Sequence, residues 1–379
     1  MDFYDIERMK RSPENIEIKL SAKKLAAMYK DGRYSADAVN LVYVNDCMPG
    51  ITREPKDAGV FYKLNGREVK DKQTLQRIRS LVLPPAWQNV WICTDPMGHL
   101  QATGYDTMNR KQYRYHPLWN TVRNQTKFHH LYDFGTALPR IRQQLQYDLA
   151  LPGLPLSKVL ATVVSLMQCT CIRIGSSIYE QLYGSFGLTT LKDKHVHFEG
   201  DTMQFKFKGK KGVMHDIALK SRKLARIVQQ CRDIPGKELF QYIDKDGQHH
   251  PIESGMVNSY IKEISEGEFT AKDFRTWAGT LHAIEAFKEI GFGVSESAMK
   301  KNVITALDMV AEHLGNTRTV CKKYYVHPMV IDNYLDKTIS KYLDRVDPAA
   351  CGSETGLSAE ELVLMDMLKN NSKVAVIAA

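Results

Sequence analysis

Apolar residues recur along this chain with two different periods, and the change of period divides it. Through the first 120 or so residues the reading is strand and loop, with turn signals at Met48-Pro49-Gly50, Asn65-Gly66 and Pro84-Pro85. Val60 to Leu64, then Asn65-Gly66, then Arg67-Glu68-Val69 predicts a tight hairpin, because Asn-Gly accepts the positive φ angles of a two-residue turn. Asn89 to Cys93 predicts a second strand, ended by Asp95-Pro96-Met97-Gly98, and helices are expected around Leu75 to Leu81 and near the start of the chain.

After about Trp119 the spacing turns helical. Leu160, Val163, Val164, Met167, Cys171 and Ile174 predict a helix ending near Arg173. Leu224, Ile227, Val228 and Cys231 predict another, stopped by Pro235-Gly236, and Val257, Tyr260, Ile261 and Ile264 a third. Thr270 is placed to cap a fourth carrying Phe274, Trp277, Ala278 and Leu281, with Phe274 and Trp277 facing the core; Met299, Val303, Ala306, Val310 and Leu314 form a fifth. One insertion breaks this run. Met203, Phe205 and Phe207 alternate with polar residues, and after Gly209-Lys210-Lys211-Gly212 the alternation resumes at Val213, His215 and Ile217, predicting a hairpin with two lysines at its tip.

The class is therefore α+β: a small β-rich N-terminal domain over residues 1–120, and a larger, mainly helical domain over 121–350 with a β-hairpin insertion. A tail over 351–379 has room for a short helix from Ser358 to Leu368. Composition excludes the disordered and fibrous classes, since 43% of residues are hydrophobic and 25% charged. The longest uncharged apolar-rich stretch, Val159 to Ile172, is too short for the ~20 residues a bilayer span needs. The opening MDFYDIERMKR has no apolar segment of a secretory signal, and the seven cysteines lack CxxC spacing, so cytoplasmic free thiols are expected.

Charge changes this picture through its distribution rather than its total of +9. Met108 to Lys127 holds five bases and no acid, and Asp201 to Arg226 eight bases and two acids, so the rest of the chain is slightly acidic. Lysine and arginine beside Tyr113, Tyr115 and Trp119 are the footprint of a phosphate-tracking surface, although an acidic protein or an anionic membrane would fit the same charge. His249-His250 lacks companions at ligand spacing and reads as a polar loop, while His215 and His282 read as strand and helix residues rather than ligands.

Four dispersed pieces suit phosphodiester chemistry: Arg173 at a helix end, Lys210 at the hairpin tip, Arg275, and Tyr325 following Asn316. A tyrosine hydroxyl can attack phosphorus, two guanidiniums can fork onto the charged non-bridging oxygens, and a lysine can protonate the leaving oxygen. Spacing alone does not establish such a site in a basic protein of this size.

Six segments in series carry more: GHLQATGYDTMNRKQYRYHPLW, CIRIGSSIYE, GSFGLTTLKDKHV, FKGKKGVMHD, KDFRTWAGTLHA and LGNTRTVCKKYYVHP. From about Ser21 to Asn333 the chain resembles the small type IB DNA topoisomerases of bacteria and poxviruses, more closely the bacterial branch. The resemblance implies a clamp around double-stranded DNA, with Tyr325 as nucleophile, Arg173 and Arg275 on the scissile phosphate, Lys210 as general acid and Asn316 donating to a non-bridging oxygen. It implies DNA contacts for Tyr179 and for Gln112, Tyr113, Arg114 and Tyr115, with Lys111, Lys211 and Lys272 beside them. Lys272 sits where tyrosine recombinases typically have His. Arg318 and Tyr324 depart from the pattern, where proline and a smaller residue are usual.

The implied activity is relaxation of supercoiled DNA through a 3′-phosphotyrosyl intermediate, without cofactor, ATP or metal, by a monomer in a bacterial cytoplasm, associated with the nucleoid. The competing readings are a tyrosine recombinase and a catalytically inactive DNA-binding relative.

Overall fold

The computed structural model describes residues 31–56, 59–343 and 355–370, together with 17–19, 28 and 375–377; the segment MDFYDIERMKR lies outside them. Contacts divide the chain into one unit of Met1–His130 with Asn371–Ala379 and a second of Leu131–Asn370. Helices and small antiparallel sheets occur in both, so the class is α+β.

In the first unit, β1 (Glu17–Lys19) pairs with β13 (Ala375–Ile377). A separate six-stranded antiparallel sheet runs in the order β4-β3-β2-β5-β6-β7. Its strands are β2 (Ile51–Lys56), β3 (Gly59–Leu64), β4 (Arg67–Glu68), β5 (Gln88–Ile92), β6 (Leu100–Tyr105) and β7 (Lys111–Tyr115). The expected hairpin is β3–β4, and Asn65 and Gly66 take φ of 51° and 78°, as a primed turn requires. Strand β6 escaped periodicity because nearly all of it is buried, which removes the inside–outside alternation. Helix α1 (Gly32–Asp37) is capped by Asp31, and α2 (Lys72–Ser80), capped by Asp71, covers the sheet through Ile78 against Ile51, Val90, Ile92 and Ala102.

Helix α3 (Pro117–Leu149) contains the point at which the contacts divide. The second unit continues with α4 (Leu156–Thr170), α5 (Ser177–Tyr183), α6 (Arg222–Arg232), α7 (Ser254–Ser265), α8 (Ala271–Ile290), α9 (Glu296–Leu314), α10 (Arg318–Tyr324), α11 (Pro328–Leu335), α12 (Ser340–Leu343) and α13 (Ala359–Asn370). Helix α4 stops earlier than its apolar spacing suggested. Cys171 turns left-handed (φ 55°) and returns its N–H to the Met167 carbonyl, so Arg173 lies on an irregular segment just beyond the helix rather than at its end.

The inserted hairpin is β9 (Thr202–Lys208) with β10 (Met214–Lys220), and β8 (Val196–Glu199) adds a third strand that four residues were too few to reveal. Met203, Phe205 and Phe207 are buried, as the alternation predicts. His249-His250 corrects the loop reading: these residues begin β12 (His249–Pro251), paired with β11 (Gln241–Ile243), and His250 Nε2 lies 2.7 Å from Asp244 Oδ2. The polar sequence hid the strand because its pairing partner supplies the order. Phe134 meets Phe269, Phe274 and Trp277 edge-on at centroid distances of 5.4, 4.9 and 5.9 Å, each pair adding about 0.5–1.5 kcal/mol beyond its burial. That packing fixes α8. Among the described residues, no helix is long and apolar enough to cross a membrane.

Candidate active site

Helix α8 starts with a capping box: the Asp273 carboxylate accepts from the Thr270 N–H and hydroxyl at 2.8 and 2.9 Å. One residue beyond Phe274, Arg275 points into the unit and is only 5% exposed. Its Nη1 donates to the Cys171 carbonyl and its Nη2 to the Leu314 carbonyl at 2.8 Å. Two chain turns that the sequence keeps far apart are thus held by one guanidinium.

Arg173 comes from the first of these turns. Its carbonyl accepts from Leu188 N at 2.9 Å, and the Ile174 carbonyl accepts from Thr189 N at 2.7 Å. This close strand-like approach requires Gly187, where a Cβ would lie 2.5 Å from the Arg173 carbonyl oxygen. The Arg173 guanidinium donates to the Gly315 carbonyl at 3.2 Å and to Asn316 Oδ1. Burial and the neighbouring charge of Arg275 push Arg173 down to about 10, so it remains a cation at neutral pH.

Asn316 follows the left-handed cap Gly315 of α9, and its N–H returns to the Ala311 carbonyl at 2.9 Å. Its Nδ2 and the Nε of Arg275 are both buried donors with no hydrogen-bond partner. Tyr325 is the C-cap of α10, with its N–H on the Cys321 carbonyl at 2.9 Å. The Arg275 guanidinium carbon lies 5.2 Å from the centre of the Tyr325 ring. Tyr324 differs: it is 37% exposed, with Lys323 Nζ 5.3 Å from its ring centre. Arg173, Arg275, Asn316 and Tyr325 therefore form one cluster.

Lys210 stands in a short 3-10 turn at the hairpin tip, exposed, with its ammonium 5.9 Å from the centre of the Tyr179 ring. Tyr179 is not a core residue: it is 42% exposed on α5 and stacks on Tyr183. Lys211 takes a left-handed φ of 61°, and Lys272 is exposed in the first turn of α8. On β7, Tyr113 is 49% exposed and stacks on Tyr115 at 5.9 Å, and Arg114 is exposed. Lys111 is paired with Asp46 at 2.6 Å, and Gln112 donates to Asp106 at 2.9 Å. Arg318 is likewise engaged, with two 2.6 Å bonds to Asp308 that tie the start of α10 to α9.

Three positioning residues had no signal in the sequence. Gly279 lets α8 touch the Tyr325 backbone, and Thr280 donates to the Tyr325 carbonyl at 3.1 Å and accepts from His327 N at 3.2 Å. His215 stacks on Phe207 and packs its ring against Gly209 and Gly315, linking the base of the hairpin tip to the Asn316 turn. Burial, then the charges of Arg173 and Arg275, hold its pKa below the ordinary value, so it is neutral. Spacing cannot expose contacts made across such sequence distances.

Residues 112–347 match the family described as the catalytic core of eukaryotic DNA topoisomerase I, and residues 60–106 match the N-terminal domain of bacterial DNA topoisomerase IB. The chain is similar to DNA topoisomerase 1B of Acanthamoeba polyphaga mimivirus, 31% identical over 295 residues that cover 76% of this chain and 88% of that protein. It is also similar to DNA topoisomerase I of Monkeypox virus, 23% identical, and to DNA topoisomerase 1B of Vaccinia virus (strain Copenhagen), 22% identical, each over 66% of this chain and 77% of the relative.

Proposed function

The chain belongs to the type IB DNA topoisomerase family and acts on DNA as a topoisomerase of that type; from this premise we propose that Tyr325 is the nucleophile and that Arg173, Arg275 and Asn316 receive the scissile phosphate. The observation that carries the proposal is the pair of buried, unpartnered donors, Arg275 Nε and Asn316 Nδ2, in the cluster that includes Tyr325. Leaving a buried donor unsatisfied costs about 1–3 kcal/mol, a cost that a phosphate oxygen would remove.

In this reading the Tyr325 oxygen attacks phosphorus, the bond to the 5′ oxygen breaks, and a 3′-phosphotyrosyl link forms. Charge building on the non-bridging oxygens meets the two guanidiniums and the Asn316 amide. Lys210, brought to the phosphate from the hairpin tip, gives its proton to the departing 5′ oxygen. The cut end turns about the intact strand, and the reverse attack by the 5′ hydroxyl reseals it. The covalent link conserves the phosphodiester, so the cycle consumes no ATP, and the cations of the site supply the charge stabilisation.

The two units act as halves of a clamp on the duplex, with Arg114, Tyr113 and Tyr115 of β7 on one side and Tyr179, Lys211 and Lys272 on the other. Support for this comes from the concentration of positive charge in the segments that contain β7 and the hairpin. Lys111 and Gln112 would contact DNA only by exchanging their aspartate partners for phosphate. The protein is proposed to work as a monomer on bacterial DNA in the cytoplasm, associated with the nucleoid.

The test is relaxation of supercoiled plasmid in excess EDTA without ATP, comparing wild type with Tyr325→Phe and Tyr324→Phe. Wild type and Tyr324→Phe should relax the plasmid, and Tyr325→Phe should bind it without relaxing it. Relaxation by Tyr325→Phe would assign the chemistry elsewhere.

A further inference from the structure

Behind the arginines, the fold gathers three side chains that neither periodicity nor spacing connects. Cys171 at the end of α4, His282 on α8 and His313 in the last turn of α9 bring one ligand atom each to within 4.8 Å of one another. Cys171 Sγ is 3.6 Å from His313 Nε2, and the two imidazole rings are 3.6 Å apart at their centres, tilted by 50°. We propose that Cys171, His282 and His313 form a binding site for one borderline-soft divalent cation of the Zn²⁺ type, with the fourth position open to water.

The dimensions fit such an ion. Metal–sulfur and metal–nitrogen bonds of about 2.3 and 2.0–2.1 Å at tetrahedral angles place sulfur and nitrogen roughly 3.5 Å apart. One edge of the triangle already has that length, all three ligand atoms lie within 4.8 Å of one another, and His313 stands at an exposed position. The donor set is a thiolate and two imidazoles, which favours zinc over oxygen-seeking calcium or magnesium. His282 Nδ1 is 2.6 Å from Glu285 Oε2, the carboxylate–histidine arrangement that orients a ligating imidazole.

The position gives the site its consequence. The Cys171 carbonyl accepts from Arg275, the chain after Cys171 leads directly to Arg173, and α9 runs from His313 through Gly315 into Asn316. A cation held there ties together the three stretches of chain that carry the arginines and the asparagine. This rests on side-chain geometry alone and stands whether or not Tyr325 is the nucleophile.

The experiment uses full-length protein stripped with a chelator and titrated with Co²⁺, whose complexes report thiolate ligation by a near-ultraviolet charge-transfer band and tetrahedral geometry by visible d–d bands. The expected result is one equivalent bound with both signatures, bleaching on addition of Zn²⁺, and a Tm raised by Zn²⁺. Cys171→Ser should abolish the charge-transfer band. His313→Ala, at an exposed position that does not threaten folding, should weaken binding roughly 10-fold or more. An absent charge-transfer band, or one of equal strength in both variants, would overturn the proposal. So would rapid alkylation of Cys171 by iodoacetamide that saturating Zn²⁺ fails to slow, which would make the cluster a reactive thiolate instead.

Discussion

Replacing Gly279 with alanine should slow DNA cleavage while leaving the protein folded and bound to DNA. A Cβ at this position would lie 3.0 Å from Tyr325 Cβ, 3.0 Å from the Tyr325 carbonyl oxygen and 3.0 Å from Leu314 Cδ1. Carbon atoms rest comfortably about 3.5–4.0 Å apart, so α8 and the Tyr325 backbone must separate by a few tenths of an ångström. In stability the change is close to balanced. Alanine in a helix interior gains about 1 kcal/mol over glycine, and overpacking costs about 1–3 kcal/mol. The net loss of at most about 2 kcal/mol lowers Tm by no more than roughly 8 °C in a unit of this size. Catalysis is less forgiving. A misplacement of about 1 Å costs on the order of 100-fold, so about half of that should cost on the order of 10-fold. The assay is the rate of covalent adduct formation under single-turnover conditions at saturating DNA, with Tm and DNA affinity measured in parallel. Cleavage within twofold of wild type in a folded variant would refute the close packing of α8 on Tyr325 as the device that sets the nucleophile.

Lys210→Ala should slow cleavage, with rescue by a substrate whose 5′ leaving atom is sulfur, which departs without needing a proton; equal impairment on both substrates would contradict the general-acid role. Glu361 accepts both Nη groups of Arg142, at 2.7 and 2.9 Å, and the Trp277 indole N–H at 3.0 Å, so Glu361→Ala leaves the largely buried Arg142 cation with the Gly356 carbonyl but no carboxylate. A loss of about 3–5 kcal/mol is expected, read as a Tm drop on the order of 10 °C, and an unchanged Tm would remove α13 from the core. His99, His116, His195 and His215 are each held below the ordinary histidine pKa by burial. The unfolded chain takes up those protons near pH 6.5 and the folded one only below it, so stability is full above that pH and falls as acid is added through it. Only His282, raised by its partners, opposes this among the shifted histidines. The Tm at pH 5.5 should therefore lie below that at pH 7.5, and an equal or higher value would contradict the neutral assignment.

Much of the helical unit was legible because its helices bury one face each, and apolar spacing reports that directly. Helix α4 shows the limit. Apolar residues continue in register to Ile174, yet the helix breaks at Cys171, where the Arg275 guanidinium takes the carbonyl and the Leu188–Thr190 turn takes those of Arg173 and Ile174. Those competitors come from up to 104 residues away, beyond any local pattern. The cluster of Arg173, Arg275, Asn316 and Tyr325 was reached through family resemblance, since spacing alone could not distinguish these residues from other arginines and tyrosines. Gly279, Thr280 and His215 were illegible for the same reason that Cys171, His282 and His313 were: each matters through a contact that only the folded chain creates. Arg318 shows the reverse case, where a departure from the family pattern resolves into a helix-to-helix ion pair with Asp308 at the start of α10.

The most direct test is to trap the covalent complex. Supercoiled DNA and the protein are mixed, denatured abruptly, digested with nuclease and protease, and the nucleotide-bearing peptide is sequenced by mass spectrometry. A single phosphotyrosyl peptide modified at Tyr325 is expected, joined to the 3′ end of the cut strand with a free 5′ hydroxyl opposite. A nucleotide on Tyr324 or any other residue, or a link to the 5′ end, would contradict that expectation.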